Sequence, residues 1–594
     1  MEFPRLNEVT RYREMTNAFG GYNHQLSCKD GQFFDEQNMT SQYYPLMSPR
    51  DRRGMVRKMS DLQGILDKED MMWIDDGSLF KNGEKVLLEG VEISNGEKTM
   101  SKMGAYVIIL PDKIWYNEST GECGYMESSV TIAKGTEVKF NLCDSAGNAI
   151  TWHDEKYFES NKPSNGDYML TTSNGKSVLK VYSASTTLWA VVATTYMQIT
   201  AKGIGKNFDT GDGIKITINN SEAKWNYASN IFVNDEGNGY LSTNTYIVNK
   251  ADDYITIIGI LDAVKTFTNM EVKAERKVPD MAFITECNNR LWGCSEDGHE
   301  IYCCKLGDVK NWNCFMGIST DSWAVTIGSD GKFTGAITYL GYPMFFKEDC
   351  FIKIAISSTG GHQTKETRCR GVQRGSGKSL AILNETLYYK STTGICSYAG
   401  SLPAGISEAF GDERYENAVA GAIGHRYFVS MKDKNDTPHL FVYDQKTNIW
   451  SKEDNTEVKC FCRHGDELYL VDKDNQMLSV RGTLPFEVDE KGMEGRFPWY
   501  VESGNIGYSM IDNKYIARVN VRITLEFGTN VDFYLQYDSS GRWEHKFNMS
   551  GKGTRTFTVP VIPKRCDHFK YKLVGKGGCK IHSITKTIEQ GSDI

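Results

Sequence analysis

A recurring pattern of short apolar strands separated by polar turns dominates this chain. Seven segments share one layout, an aromatic-rich strand, a turn of Asp, Asn or Gly, and a second apolar strand, which is typical of a β-hairpin. They are Asp76–Val86, Asp112–Met126, Asn289–Cys304, Tyr342–Ile354, Glu385–Tyr398, His425–Trp450 and Asp466–Val480. Another short apolar run tends to precede each hairpin, as Ala336–Leu340 precedes the fourth. Each unit is therefore predicted to hold about four strands.

The spacing of the hairpins predicts a β-propeller. The fourth to seventh hairpins start 43, 40 and 41 residues apart, and even spacing with four strands per unit is typical of propeller blades. The second and third hairpins start 177 residues apart, so an insertion rich in strand patterns lies between them. Past Val480 the period ends, and alternating runs such as Ile516–Leu525 predict an antiparallel sandwich.

We therefore predict an all-β fold, a seven-bladed β-propeller with an inserted β-barrel or sandwich domain and a C-terminal β-sandwich. The predicted boundaries are 1–60 for an N-terminal docking arm, 61–127 for blades 1 and 2, 128–278 for the insertion, 279–490 for blades 3 to 7 and 498–594 for the sandwich. The arm is too polar and too often interrupted by Gly to form its own core. We expect it to dock on its own propeller or on a neighbouring subunit.

Composition and charge narrow the function classes. The 594 residues carry a net charge of −8, whereas proteins that wrap nucleic acid usually have a basic excess. The longest apolar runs, Tyr106–Leu110 and Ile255–Leu261, have strand length, and a membrane-spanning helix needs about 20 residues, so no membrane span is expected. The charged N-terminus does not resemble a secretory signal. The 15 scattered cysteines fit free thiols in a reducing cytoplasm.

Three groups of residues could carry chemistry, and each has a simpler interpretation. Cys460, Cys462 and His464 share one face of a predicted strand, but zinc needs a fourth ligand, so a Cys-rich buried strand face is favoured. Gly371–Ser379 ends like a phosphate-binding loop, but its spacing is one residue too long and strands follow it. The third group lacks a CxxC knuckle and comprises Cys566, His568, Cys579 and His582. We predict no cofactor, no metal, no catalytic residue and no enzyme activity.

A basic cluster in the arm has two open interpretations. It could face DNA or a neighbouring subunit, or it could belong to an exposed arm whose charges pair with acidic neighbours, and we favour the second. Its members are Arg50, Arg52, Arg53, Arg57 and Lys58.

The arm also carries a series of motifs that resembles a known family. A Gly-Gly turn precedes an Asn, an acidic residue precedes a second Asn, and Tyr-Pro and Pro-Arg pairs precede the first blade. This series is similar to the opening of tail nozzle (packaged-DNA stabilisation) proteins of tailed bacteriophages. It departs from them at Asp51–Arg53, where a Pro-Gly turn is more usual. The residues concerned are Phe19, Gly20, Gly21, Asn23, Asp35, Asn38, Tyr44, Pro45, Pro49, Arg50 and Gly54. Shorter similarities follow at Asn289–Gly293, Asp308–Trp312, Gly394–Gly400 and Trp499–Gly504.

The resemblance implies a structural virion protein of the tail or neck, assembled in the cytoplasm of a bacterial host. It implies a ring, usually six-fold, below the portal and adaptor proteins, in contact with other tail or fibre proteins. Genomic DNA would pass its channel without sequence-specific binding, which suits an acidic protein. Two alternatives stay open: a tail-tip propeller that binds a receptor or binds or degrades glycans, and a cellular lectin-like propeller.

Overall fold

The chain folds almost entirely into β-strands. The computed structural model describes residues 10–67, 70–173, 176–219, 224–226, 231–233, 243–261, 264–295, 298–315, 317–356, 361–482, 492–507 and 510–590. Within these ranges the helical elements are one α-helix, Glu155–Ser160, and the short 3-10 turns Gly377–Ser379 and Glu408–Phe410. None of the described helices is long and apolar enough to span a bilayer.

Seven antiparallel sheets of the predicted kind follow one another along the chain. The strands of blades 1 to 3 are Leu62–Asp67, Met71–Asp75, Ser78–Lys81 and Glu84–Val86; Thr99–Met103, Tyr106–Leu110, Ile114–Asn117 and Cys123–Tyr125; and Phe283–Glu286, Leu291–Cys294, Glu300–Cys303 and Trp323–Thr326. Those of blades 4 to 6 are Gly335–Tyr339, Tyr342–Phe346, Cys350–Ile356 and His362–Arg368; Ala381–Leu383, Thr386–Ser391, Gly394–Tyr398 and Ala404–Gly405; and Glu416–Ile423, Arg426–Lys432, Pro438–Asp444 and Ile449–Lys452.

Blade 7 is completed by the N-terminal segment. Its own strands are Val458–His464, Glu467–Asp472 and Gln476–Ser479, and the fourth strand is Gly54–Lys58, which pairs antiparallel with Gln476–Ser479. The short strand Gly492–Met493 adds to the outside of Gly54–Lys58. The first and last parts of the propeller are thus joined in one sheet, which leaves no open gap between the terminal blades.

A hydrophobic cluster fills the space between each pair of neighbouring blades. Trp73 of blade 1 and Tyr469 of blade 7 share the cluster that closes the ring, and Tyr388 and Tyr427 share the one between blades 5 and 6. The other five clusters join the remaining neighbours in order. Both faces of most blades are therefore buried, which explains why the strand sequences are rich in aromatic and other apolar residues. The predicted seven-bladed propeller is confirmed.

The insertion begins with the strand Ser128–Ile132 and ends with Glu271–Arg276, which pair with each other. Its main curved sheet contains these two strands and Val138–Cys143, Tyr196–Thr200, Gly213–Asn219, Thr243–Ala251, Tyr254–Ile258 and Lys265–Phe267. A second sheet comprises Trp152–Asp154, Tyr168–Ser173, Lys176–Ser183 and Leu188–Val191, and a third sheet comprises Lys224–Asn226, Ile231–Val233 and Ile260–Leu261.

The insertion contacts blade 3 through a buried ion pair between Asp212 and Arg276. The side chain of Asn311 in blade 3 donates a hydrogen bond to Asp212 at 3.2 Å.

The C-terminal sandwich is built from both ends of the chain. Its C-terminal strands are Pro498–Ser503, Lys514–Tyr537, Glu544–Val559, Phe569–Lys576 and Cys579–Gln590. The N-terminal strands Arg11–Thr16, Gly21–Tyr22 and Gln32–Gln37 join the same sheet, Arg11–Thr16 against Cys579–Gln590 and Gln32–Gln37 against Pro498–Ser503. Phe19, Phe33, Met39 and Met47 are buried in its core. Residues 1–9 of the predicted arm lie outside the described residues.

Candidate functional site: the N-terminal segment

Residues 10–60 carry the motif series and run between the C-terminal sandwich and blades 6 and 7 of the same chain. They pair with the sandwich through Arg11–Thr16 and Gln32–Gln37 and with blade 7 through Gly54–Lys58. The described part of the predicted docking arm is therefore packed on its own chain. Its docking on a neighbouring subunit or adaptor stays a prediction.

The first motif is a turn that fits closely against blade 6. Phe19 is buried, its amide donates to the Pro45 carbonyl at 3.1 Å, and the amide of Gly20 donates to the Gly31 carbonyl at 2.7 Å. Gly21 has a φ of +67°, and a methyl group on it would overlap the carbonyl oxygen of Trp450 in blade 6. Only glycine meets both demands at this close approach. Asn23 ends the turn by donating from Nδ2 to Gln32 at 2.7 Å.

The acidic part of the motif contacts blade 6 and the sandwich. Asp35 accepts a hydrogen bond from the Tyr500 hydroxyl at 2.6 Å and pairs with Lys452 at 3.0 Å. The next residue, Glu36, is 1% exposed and accepts a hydrogen bond from the backbone amide of Lys452 at 2.9 Å. Burial raises the pKa of Glu36 to about 8, because a carboxylate in an apolar surrounding is costly.

Asn38 joins the segment to the sandwich and to Arg50. Its φ is +59°, a left-handed conformation that Asn tolerates better than most residues. Its Nδ2 donates to the Pro498 carbonyl at 2.8 Å, and its Oδ1 accepts from Arg50 Nε at 2.9 Å. The backbone amide of Arg50 also donates to the Asn38 carbonyl at 2.9 Å. The Asn and Arg of the motif series are thus direct partners.

The proline motifs form the loop between Asn38 and Arg50. Tyr44 is 46% exposed and precedes Pro45 through a cis peptide bond. Pro49 is buried and pairs with Met39 across a two-residue ladder. Tyr44 and Pro45 are therefore the motif residues of this loop that face solvent, whereas Pro49 belongs to the interior.

Arg50 and Arg53 lie at the centre of a buried charge cluster, which we call the junction. Arg50 binds Glu494 with two hydrogen bonds of 2.7 and 2.9 Å and pairs with Asp454 at 3.3 Å. Arg53 pairs with Glu453 at 2.6 Å and with Asp454 at 2.9 Å. Both arginine side chains are only 4% exposed. Two cations and three carboxylates thus connect the N-terminal segment, the end of blade 6 and the connection to the sandwich.

The charges in the junction stabilise one another's ionised forms. Burial alone would raise the pKa of Asp454, but Arg53 and Arg50 outweigh it and hold that pKa below its ordinary value. Glu494 behaves in the same way: burial opposes its ionisation, and the hydrogen bond and charge of Arg50 lower its pKa. Buried ions need such paired partners, because desolvation is otherwise expensive.

The expectation of an exposed basic arm is wrong for Arg50 and Arg53. Their charges are paired as expected, but in the interior, where their partners come from parts of the chain about 400 residues away. Arg52 and Lys58 are exposed, and Arg57 is half-buried with its guanidinium 5.2 Å from the Trp73 ring centre. Gly54 begins the closing strand, where a methyl group would lie 2.8 Å from the Gly482 Cα.

Sequence reasoning missed the acidic half of the junction. Glu453 and Asp454 follow the last strand of blade 6, and Glu494 lies in the connection to the sandwich. Acidic residues in such connections are common, so nothing local distinguished these three from the other acidic residues of the chain. The hydrogen bonds to Arg50 and Arg53 exist only in the folded chain.

The other candidate groups have structural surroundings. Gly371–Ser379 connects blades 4 and 5, and Lys378 in it pairs with Glu97 at 2.5 Å. Cys566 and Cys579 are buried in the sandwich, while Nε2 of His568 and of His582 lies 2.7 Å from Ser539 and Thr524 respectively. Cys460, Cys462 and His464 lie on Val458–His464, the first strand of blade 7. Among the described residues, no group of three or more His, Cys, Asp or Glu side chains could hold a metal ion.

Comparisons with known proteins leave the family open. No protein-family model matches the chain, and no curated protein matches it. Similar solved structures include the exo-β-1,3-galactanase of Phanerochaete chrysosporium with galactose, at 9% identity over 50% of this chain and 92% of that one, with a TM-score of 0.20. AztD of Citrobacter koseri is 10% identical over 72% and 98%, with a TM-score of 0.25. Kluyveromyces lactis Hsv2 is 11% identical over 52% and 94%, with a TM-score of 0.24. Similarities this loose indicate neither a ligand nor an activity.

Proposed function

We propose that this chain is a structural virion protein of a tailed bacteriophage, a nozzle subunit that forms a six-fold ring below the portal and adaptor proteins and retains and passes the genomic DNA. One observation carries the proposal. The segment with the nozzle-like motif series is also the segment that fastens the propeller to the C-terminal sandwich.

The motif residues occupy positions that restrict which residue can stand there. Gly21 has a left-handed backbone and no room for a side chain, Asn38 has a left-handed backbone and binds Arg50, and Arg50 is buried between carboxylates. A resemblance at such positions reflects a shared way of joining two domains more than a shared surface. This supports common architecture with the nozzle family, from which the role in the virion is proposed.

The junction also suits a subunit that has to hold its shape in a channel wall. Three segments distant in sequence converge on Arg50 and Arg53, so bending the propeller against the sandwich would expose or separate buried charges. Separating such charges is costly. In a ring with head-to-tail contacts, rigid subunits fix the rotation at which the ring closes. The net charge of −8 favours passage of DNA over adhesion.

Locating the chain in particles tests the proposal. Antibody raised against the recombinant chain and detected with gold should label phage particles at one point, where the tail joins the capsid, and antibody absorbed with the recombinant chain is the control. Image reconstruction of that region should contain six copies. Labelled peripheral fibres would favour the second candidate below, and absence of the chain from purified particles by mass spectrometry would contradict both.

A second candidate, a tail-tip propeller that binds glycans, is favoured by an aromatic cluster on the insertion. The Tyr157 ring is 42% exposed and stacks on His153 at 3.7 Å, and Trp189 contacts Phe158 at 4.9 Å and Tyr182 at 5.2 Å. Aromatic faces that are apolar yet border polar groups suit sugar rings.

A glycan array tests this candidate. The chain should bind a defined set of glycans, and Trp189→Ala should abolish binding, whereas Tyr125→Ala, which removes an exposed aromatic ring from blade 2, should not. Equal binding by both variants, or no binding by the parent chain, would exclude this role for the cluster.

A further inference from the structure

A cavity of about 220 Å³ opens between blades 3 and 4. Its apolar walls are Trp292, Leu306, Pro343 and Ile354, and its polar groups include Arg290 and His362. Trp292 and Ile354 are buried, whereas Leu306 is 43% exposed. An apolar cavity of 150 Å³ in another protein admits benzene, so this one has room for a ring with a short substituent.

Arg290 brings a positive charge to the cavity without a matching carboxylate. It is 4% exposed, and its Nη1 donates to the carbonyls of Cys304 at 2.8 Å and Asp321 at 2.6 Å, with Cys303 Sγ at 3.6 Å. Its Nη2 donates to the Ser319 carbonyl at 2.6 Å. No carboxylate in the described part of the chain forms an ion pair with this guanidinium.

The hydrogen bonds of Arg290 leave two donors unused. A guanidinium has five N–H groups. Two on Nη1 and one on Nη2 are taken by carbonyls, which leaves Nε–H and the second N–H of Nη2. Both remaining N–H groups can donate charge-assisted hydrogen bonds to a carboxylate.

His362 is a second polar side chain at the cavity with hydrogen-bonding capacity to spare. Its ring packs edge-on against Trp292 at 5.0 Å and Trp323 at 5.4 Å. Its Nδ1 is buried and has no hydrogen-bond partner among the described residues. Burial, followed by the charge of Arg290, lowers the pKa of His362, so the ring is neutral at neutral pH and can donate or accept one hydrogen bond. A buried polar atom without a partner is uncommon in folded proteins.

We infer that this cavity binds a small organic carboxylate with a ring-sized apolar body. The carboxylate meets Nε and Nη2 of Arg290, and the body packs on Trp292, Pro343 and Ile354. A cation of the same size is repelled by Arg290, and a neutral analogue gives up the charge-assisted hydrogen bonds. The inference does not depend on the proposed place of the chain in a virion.

The probe is phenylacetate, titrated into the full chain and followed by tryptophan fluorescence and ligand-observed NMR. Phenylacetamide is the neutral analogue of nearly the same shape, and phenethylamine is the cationic one. We expect saturable binding of phenylacetate, at least ~10-fold tighter than that of the amide, which corresponds to one charge-assisted interaction. No saturation up to ~10 mM phenylacetate, or equal affinity for acid and amide, would overturn the inference.

Two variants at apolar surface positions locate the binding. Leu306→Trp places a large ring at a half-exposed wall of the cavity and should abolish binding, whereas Leu340→Trp changes a 59% exposed residue that does not line the cavity and should leave it intact. Both sites are exposed enough to accept the larger side chain. If Arg290→Gln folds, it should bind phenylacetate and phenylacetamide with equal affinity. If it does not fold, the comparison of Leu306→Trp with Leu340→Trp tests whether the ligand occupies the cavity. Undiminished binding by Leu306→Trp would place the ligand elsewhere.

Discussion

Replacing Arg53 by Met tests whether the junction holds the propeller and the sandwich together. The Arg53 side chain is 4% exposed and pairs with Glu453 at 2.6 Å and Asp454 at 2.9 Å. Met keeps much of the volume and removes the charge. Glu453, only 6% exposed, would keep Arg50 at 3.9 Å as its nearest cation in the junction.

The expected loss follows from leaving a buried carboxylate without its main partner. Breaking a buried ion pair from one side costs about 3–5 kcal/mol in the free energy of unfolding. Removing both partners, as in Arg53→Met with Glu453→Met, should cost much less than the sum of the single changes, because no unpaired charge then remains. The pKa of Asp454 lies below its ordinary value, so its contribution is present above that ordinary value and is lost as the pH falls through the lowered one. The difference between Arg53→Met and the parent should therefore narrow in acid.

Urea unfolding followed by tryptophan fluorescence measures the effect, since Trp499 is buried on the sandwich strand Pro498–Ser503, whose first carbonyl binds Asn38. With a slope of about 3 kcal/mol per molar urea, the midpoint should fall by roughly 1–1.7 M. Arg13→Met is the matched control, because Arg13 is exposed and forms no ion pair with the residues described, and it should change stability by less than about 0.5 kcal/mol. If Arg53→Met moved the midpoint no further than Arg13→Met, the junction would not be what joins the two domains.

Three further predictions address other parts of the chain. Burial raises the pKa of Glu36 to about 8 in the native chain, so between its ordinary pKa and pH 8 this carboxyl is ionised in the unfolded chain but protonated in the native one, and stability falls as the pH rises. The melting temperature of Glu36→Gln should therefore increase relative to that of the parent from pH 5 to pH 8. A constant difference between the two melting temperatures across that range would contradict this. Gly21→Ala should lower the melting temperature more than Gly341→Ala. Both glycines have a positive φ, which costs a residue with a side chain about 1–2 kcal/mol, but only Gly21 also lacks room for the methyl group. Equal decreases would mean that blade 6 can move to make room for the methyl group. A thiol reagent should modify the half-buried cysteines of the native chain before the buried ones, as mapped by mass spectrometry. The half-buried cysteines are Cys28, Cys123, Cys369 and Cys460. Equally early modification of a buried cysteine would contradict the burial described.

The propeller could be predicted because each blade is largely a local structure. The hairpin Glu385–Tyr398 contains both of its strands and its turn within one short stretch, and the structure forms them as Thr386–Ser391 and Gly394–Tyr398. Hairpin turns and strand alternation depend on neighbouring residues. Regular spacing then converts seven such hairpins into seven blades.

The role of the N-terminal segment could not be predicted in the same way. Gly54–Lys58 carries no signal that it pairs with Gln476–Ser479 rather than with the nearby Leu62–Asp67. Arg50 and Arg53 look like other surface-forming basic residues until their carboxylate partners are known. Likewise, Arg290 and His362 come together at a cavity only when blades 3 and 4 pack.

The sequence by itself thus determined the all-β class, the repeating propeller blades, the insertion and the sandwich, since these follow from alternation, turns and spacing within tens of residues. The tertiary structure alone decided how the propeller closes, which arginines are buried and where the Arg290 guanidinium borders a cavity. These features depend on contacts such as Arg53 with Glu453, which are 400 residues apart. Contacts at that separation are set by the packing of whole blades, and no local pattern encodes them.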